Sequence, residues 1–135
     1  MADDPLEELL LDADEVDRAV LAKALQGVLG IDKGSGRIVL KPGFGGLDTR
    51  RKALAYLLGA KVAVLLDLRT TEAVAPKELQ AETGMPPGTT NPKLGQLREQ
   101  RLASKTETGT YYVAPPQIPS AIEELRKGRR DGPDE

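Results

Sequence analysis

The stretch from Ala53 to Leu66 constrains the fold most. Ala53, Leu54, Leu57, Leu58, Val62, Leu65 and Leu66 recur at helical spacing and spread over more than one face of the helix they predict. Such a helix has to be buried from two sides, so the rest of the chain must wrap around it. Asp48 or Thr49 can cap its start, and Asp67 follows its end. Within it, Ala55, Gly59 and Ala63 fall four residues apart and allow another backbone to approach closely. Packing against the first helix of the chain explains that seam; a homodimer seam is the alternative. Apolar residues make up 39% of the chain and aromatic residues only 3%. The core must therefore be built from Leu, Val and Ala, which favours packed helices, and 135 residues suffice for one such core.

Chemistry is bounded as tightly. The chain has neither cysteine nor histidine, which excludes disulfides, thiolate or imidazole metal sites and every nucleophile activated by histidine. No catalytic constellation, metal or cofactor is expected. Gly34-Ser35-Gly36 and Gly43-Phe44-Gly45-Gly46 lack the Gly-Lys-Ser/Thr of a phosphate loop. Asp12, Asp14, Glu15 and Asp17 lack the spacing of a calcium loop and fit a solvated helix start. The acidic N-terminus lacks the positive region of a signal peptide, and the longest apolar stretch carries Lys61 in its middle, so neither secretion nor membrane spanning is expected.

Net charge is −2, but it is segregated. Met1 to Gly36 holds nine acids and three bases, and Arg37 to Leu66 holds six bases and one acid. An acidic head, open to a protein partner, precedes a basic shoulder. Leu6, Leu9 and Leu10 in that head predict a short amphipathic turn. Asp14 then caps a helix over Glu15 to Leu29 on the periodicity of Val16, Ala19, Val20, Leu21, Ala24, Leu25, Val28 and Leu29. Asp32 to Gly36 is turn chemistry, Arg37 to Lys41 a short strand or hairpin arm, and Pro42 to Gly46 a loop.

Beyond the central helix, Pro76 to Glu82 predicts a short helix stopped by Gly84, and Met85-Pro86-Pro87-Gly88 a turn. A further helix follows from about Gly88 to Arg101, with Leu94 and Leu97 inward and Pro92 as its fourth residue if Thr89 is the first. Leu102 to Lys105 and Thr110 to Val113 predict strands around Thr106-Glu107-Thr108-Gly109. Tyr111 and Tyr112 alternate there, one packing and one facing outward. Pro115, Pro116 and Pro119 stiffen a connector, Ser120 and Glu123 form a capping box for a helix over Ala121 to Lys127, and Gly128 to Glu135 reads as a disordered tail.

The order is thus long helix, short helix, turn, helix, hairpin. Val74-Ala75-Pro76-Lys77-Glu78-Leu79-Gln80-Ala81-Glu82-Thr83-Gly84-Met85-Pro86, Leu94-Gly95-Gln96-Leu97-Arg98-Glu99-Gln100-Arg101-Leu102 and Gly109-Thr110-Tyr111-Tyr112-Val113 together resemble the winged helix-turn-helix family of archaeal and bacterial transcription regulators. The resemblance covers Leu47 to Val113, about half of the chain; Arg101 stands where the family commonly has glycine. It implies a mainly α fold with a small β-hairpin wing. An acidic segment with a helix and short strand or loop (1–46) precedes the winged domain (47–113), and a proline-rich connector with a C-terminal helix (114–127) and a tail (128–135) follow it. It further implies a homodimer that binds double-stranded DNA as a regulator in the cytoplasm, at the nucleoid, with a protein-interaction module as the alternative. The recognition helix would enter a major groove and the wing would touch the adjacent backbone. Thr89, Thr90, Asn91, Lys93 and Gln96 would then meet base edges, and Arg98 and Lys105 phosphates. Arg50 and Arg51 join that set on physical grounds, because cations at a helix N-terminus oppose its dipole by some 0.3 to 1 kcal/mol each and an external phosphate would repay them.

Overall fold

Residues 5–9 and 16–128 are described by the computed structural model. Asp17 caps the first helix, its carboxylate accepting the Val20 N–H at 3.1 Å. The Asp14 cap expected from the sequence lies outside the described residues. Helix α1 (Arg18–Leu25) ends four residues earlier than its periodicity suggests, because Gly27 turns left-handed at φ 79°. Leu29 is buried as predicted, but on a strand. Strands β1 (Leu29–Ile31) and β2 (Ile38–Leu40) pair antiparallel, Leu29 opposite Leu40 and Ile31 opposite Ile38. The Asp32 carboxylate closes their turn by accepting both the N–H and the hydroxyl of Ser35 at 2.7 Å, and these hydrogen bonds hold its pKa below the usual carboxylate range. Pro42 to Gly46, expected as a loop, instead forms the single turn α2 (Pro42–Gly45), opened by proline and folded over buried Phe44.

Helix α3 (Thr49–Leu65) is the centre of the molecule, with every side chain from Ala53 to Ala60 buried. Burying each of Leu54, Leu57 and Leu58 contributes roughly 1.5–3 kcal/mol. The β1–β2 hairpin, and not the first helix, fills the Ala55–Gly59–Ala63 seam: a Cβ on Gly59 would lie 3.1 Å from Leu29 and 3.4 Å from Ile38. With the hairpin seated there, the seam has no room for a second copy of the chain. Buried Lys61 on α3 pairs with Glu72 at 3.2 Å, which holds the loop that follows.

Helix α4 (Pro76–Thr83) ends at Gly84, left-handed at φ 77°, as the sequence predicts. Helix α5 (Pro87–Glu99) begins one residue early, with Pro87 as its first residue instead of part of the turn. Pro92 is therefore deeper in the helix than expected and leaves the Gly88 carbonyl without its helical partner. The helix closes by returning the Leu102 N–H to the Leu97 carbonyl (2.9 Å) and the Arg101 N–H to that of Arg98 (3.0 Å), which puts Arg101 at φ 63°. A glycine suits this C-terminal motif and arginine does not. Replacing Arg101 by glycine should raise stability by about 0.5–1 kcal/mol, read as a higher urea midpoint at unchanged m-value.

Strands β3 (Ser104–Lys105) and β4 (Tyr111–Tyr112) form the second antiparallel hairpin. On its other edge Tyr111 exchanges both backbone hydrogen bonds with Val74, at 2.8 and 2.9 Å. Tyr111 is buried and Tyr112 partly exposed. The connector is a tight helical turn at Pro115–Gln117 that leads directly into α6 (Ile118–Gly128). Ser120 thus sits inside the helix it was expected to cap, and Gly128, expected in the tail, is its last residue. The rest of that tail lies outside the described residues. The whole is mainly helical, with two small antiparallel hairpins.

Candidate nucleic-acid interface

Helices α4 and α5 and the β3–β4 hairpin enclose a shallow groove of about 730 Å3 lined by Lys77, Gln80, Asn91, Lys105 and Gly109 among others. The helix pair is pinned at its base. Thr90, wholly buried, accepts a hydrogen bond from the Gln80 amide at 3.0 Å and donates to the Pro86 carbonyl at 3.4 Å. The same amide reaches the Asn91 oxygen at 3.5 Å. Lys105 lies over the Tyr111 ring, 5.8 Å from its centre, and is exposed.

The residues expected to meet DNA divide accordingly. Asn91 and Lys105 share the groove. Thr90 does not belong to the site: it is a structural contact between the two helices and cannot reach a base edge. At about 100° per residue, Arg98 falls on the Asn91 flank of α5, whereas Thr89, Lys93 and Gln96 turn toward the opposite flank. Gln96 and Arg98 are exposed, while Thr89 and Lys93 are partly covered. The outermost line of the helix is Pro92, Gly95 and Glu99. Lys77 and Gln80 were missed by the sequence reading; a polar pair three residues apart on the short helix of the expected motif was the available signal.

Arg50 and Arg51 are engaged elsewhere. Arg50 pairs with Glu124 on α6 and donates to the Gln100 side chain at 2.8 Å. Arg51 donates to the carboxylate and the backbone carbonyl of Glu124, both at 2.8 Å, and to Asp48 at 3.1 Å. Their side chains are only 15% and 19% exposed. The Arg50 hydrogen bond, helped by the charges of Arg50, Arg51 and Lys127, holds the Glu124 carboxyl below the usual range. Glu124 therefore compensates the cations at the start of α3, and no phosphate is needed to explain them. The clamp also braces the C-terminal end of α5 through Gln100.

Elsewhere, Arg37 on the first hairpin pairs with Glu82 on α4 at 3.0 Å, and Arg69 grips Glu78 through both carboxylate oxygens, at 2.7 and 2.9 Å. Glu78 and Glu82 on α4 are thus paired within the chain. Lys77, Lys93, Arg98, Arg101 and Lys105, by contrast, form no ion pair among the described residues. Among the same residues, no acidic cluster is suited to a metal ion, and no helix is long and apolar enough to cross a membrane. Compared with protein-family models, curated proteins and solved structures, the chain matches none.

Proposed function

We propose that this chain binds double-stranded DNA as a winged helix-turn-helix module, with α5 in the major groove, the β3–β4 hairpin as the wing, and transcriptional regulation as the purpose. The observation that carries the proposal is the groove between α4, α5 and the hairpin: Lys77 and Lys105 border it without a carboxylate partner among the described residues, and Asn91 lines it with them. An amide there suits an adenine edge, and the two amines suit flanking phosphates. The pairing of Val74 with Tyr111 supports the same reading, because it ties the segment before α4 to the hairpin and fixes the hairpin's angle to α5. Such binding would place the protein at the nucleoid.

Affinity for a random duplex, measured over a range of salt concentrations, tests the proposal. Each phosphate contact contributes about 0.9 to the log–log salt slope. Lys77→Ala with Lys105→Ala should therefore lower the slope by about two and weaken binding roughly tenfold or more at low salt. Lys33→Ala, an exposed control on the first hairpin's turn, should change neither. Absence of binding at low salt, or an unchanged slope in the double variant, sinks the proposal.

A second reading, a protein-interaction module, is favoured by the outermost line of α5, where Pro92, Gly95 and Glu99 present no cation. Binding to a protein through that line would survive the lysine substitutions and depend little on salt.

A further inference from the structure

Apolar side chains stand uncovered at two places. At the turn Pro5–Leu9, Leu6 and Leu9 are 67% and 74% exposed. The second place is a cleft of about 620 Å3 between α1, β1 and the end of α3, floored by Leu25, Leu29, Ile31, Val62 and Leu66. Through Ala22, Val62 and Leu66 it continues into a smaller hollow of about 200 Å3 at Arg18 and Leu65. The cleft is not a sealed part of the core, since Leu66 at its edge is 50% exposed.

Charge links the two places. Among the described residues, the charged side chains that line the cleft and its extension are cations, Lys23 and Arg18. The chain before Arg18 carries eight acids and no base. An acidic, leucine-bearing segment and an apolar, cation-rimmed cleft are complementary in both polarity and sign. Leu6 and Leu9 are exposed and are not among the residues that line the cleft.

We propose that the cleft is the docking site for the N-terminal leucine segment of a second copy of this chain, exchanged reciprocally to give a two-fold dimer. Reciprocal exchange covers both leucine turns and both clefts at once, which a one-sided contact does not. It replaces the Ala55–Gly59–Ala63 seam, occupied by the β1–β2 hairpin, as the route to a dimer. None of the described residues that line the cleft belongs to α5 or the second hairpin.

Sedimentation equilibrium of the full chain without DNA tests this. Wild type should form a reversible dimer. Leu6→Asp with Leu9→Asp, and separately Ala22→Glu at an exposed position of α1, should each raise the dimer dissociation constant at least about tenfold with the circular dichroism spectrum unchanged. A wild-type protein that stays monomeric throughout, or a dimer that either variant leaves intact, overturns the proposal. None of these substitutions touches Lys77, Asn91 or Lys105, so failure here and failure of DNA binding are separate results.

Discussion

Gly36→Ala should lower the unfolding free energy by about 3 kcal/mol or more. Gly36 is buried at φ +77°, in the left-handed region that costs an L-residue roughly 1–2 kcal/mol. The larger part of the effect is steric. A Cβ built there would lie 2.1 Å from the Leu68 carbonyl oxygen, a backbone atom that cannot swing aside as a side-chain end would. The Leu68 segment is itself fixed by its N–H bond to the Ala63 carbonyl at 2.8 Å. Accommodating the methyl group thus means parting the first hairpin from the end of α3, the same hairpin whose Leu29 and Ile38 fill the Gly59 notch. Gly45→Ala is the control, because nothing lies within 4 Å of its Cβ position and its effect should stay within about 0.5 kcal/mol. Equal urea midpoints for the two variants would show that the hairpin does not press on Leu68.

Glu78→Ala should cost about 2–3 kcal/mol at neutral pH. Its carboxylate accepts the Tyr56 hydroxyl at 2.8 Å and both ends of the Arg69 guanidinium. Arg69 also donates to the backbone carbonyls of Thr71 (2.6 Å) and Ala73 (3.1 Å). Removing the acid leaves a buried phenol and a mostly covered guanidinium without their shared acceptor. Because the carboxylate side is 30% exposed, water recovers part of the loss, which keeps the cost below that of a fully buried pair. Burial pushes the Glu78 pKa up, but the hydrogen bonds from Arg69 and Tyr56 outweigh it and the net shift is downward. The Tyr56 pKa is raised, first by burial and then by Glu78, so its hydroxyl remains a donor throughout. A depressed folded-state pKa gives stability that is present above the unfolded glutamate value, about 4.3, and is lost as pH falls through the folded one. The stability gap between wild type and Glu78→Ala should therefore be widest near pH 7 and narrow below about pH 4. A gap that widens on acidification would contradict the network.

Much of the backbone was legible because its signals are local. Pro76 and Gly84 bracket α4, Leu94 and Leu97 mark the buried side of α5, and Thr106 to Gly109 turn the second hairpin. The same periodicity misled at Leu29, which is apolar at helical spacing but pairs with Leu40 once Gly27 has turned the chain. Thr90 was readable and was misassigned: it lies four residues before Leu94 and seven before Leu97, on the same inward side. For Arg50 and Arg51 the sequence showed only an anomaly, cations at the wrong end of a helix. Their partner, Glu124, is more than seventy positions away and carries no local mark.

The sequence by itself determined that the segments of α1, α3, α4, α5 and α6 are helical, that Pro76 and Gly84 bracket α4, and that the Ala53–Leu66 helix had to be enclosed, since these follow from backbone preference and apolar spacing within a few turns. Only the tertiary structure decided which elements enclose it, which cations are spent internally on Glu124, Glu72, Glu78 and Glu82, and which are left at the groove. Pairing of charges depends on distances between remote segments, and no pattern along the chain encodes those distances before the chain has packed.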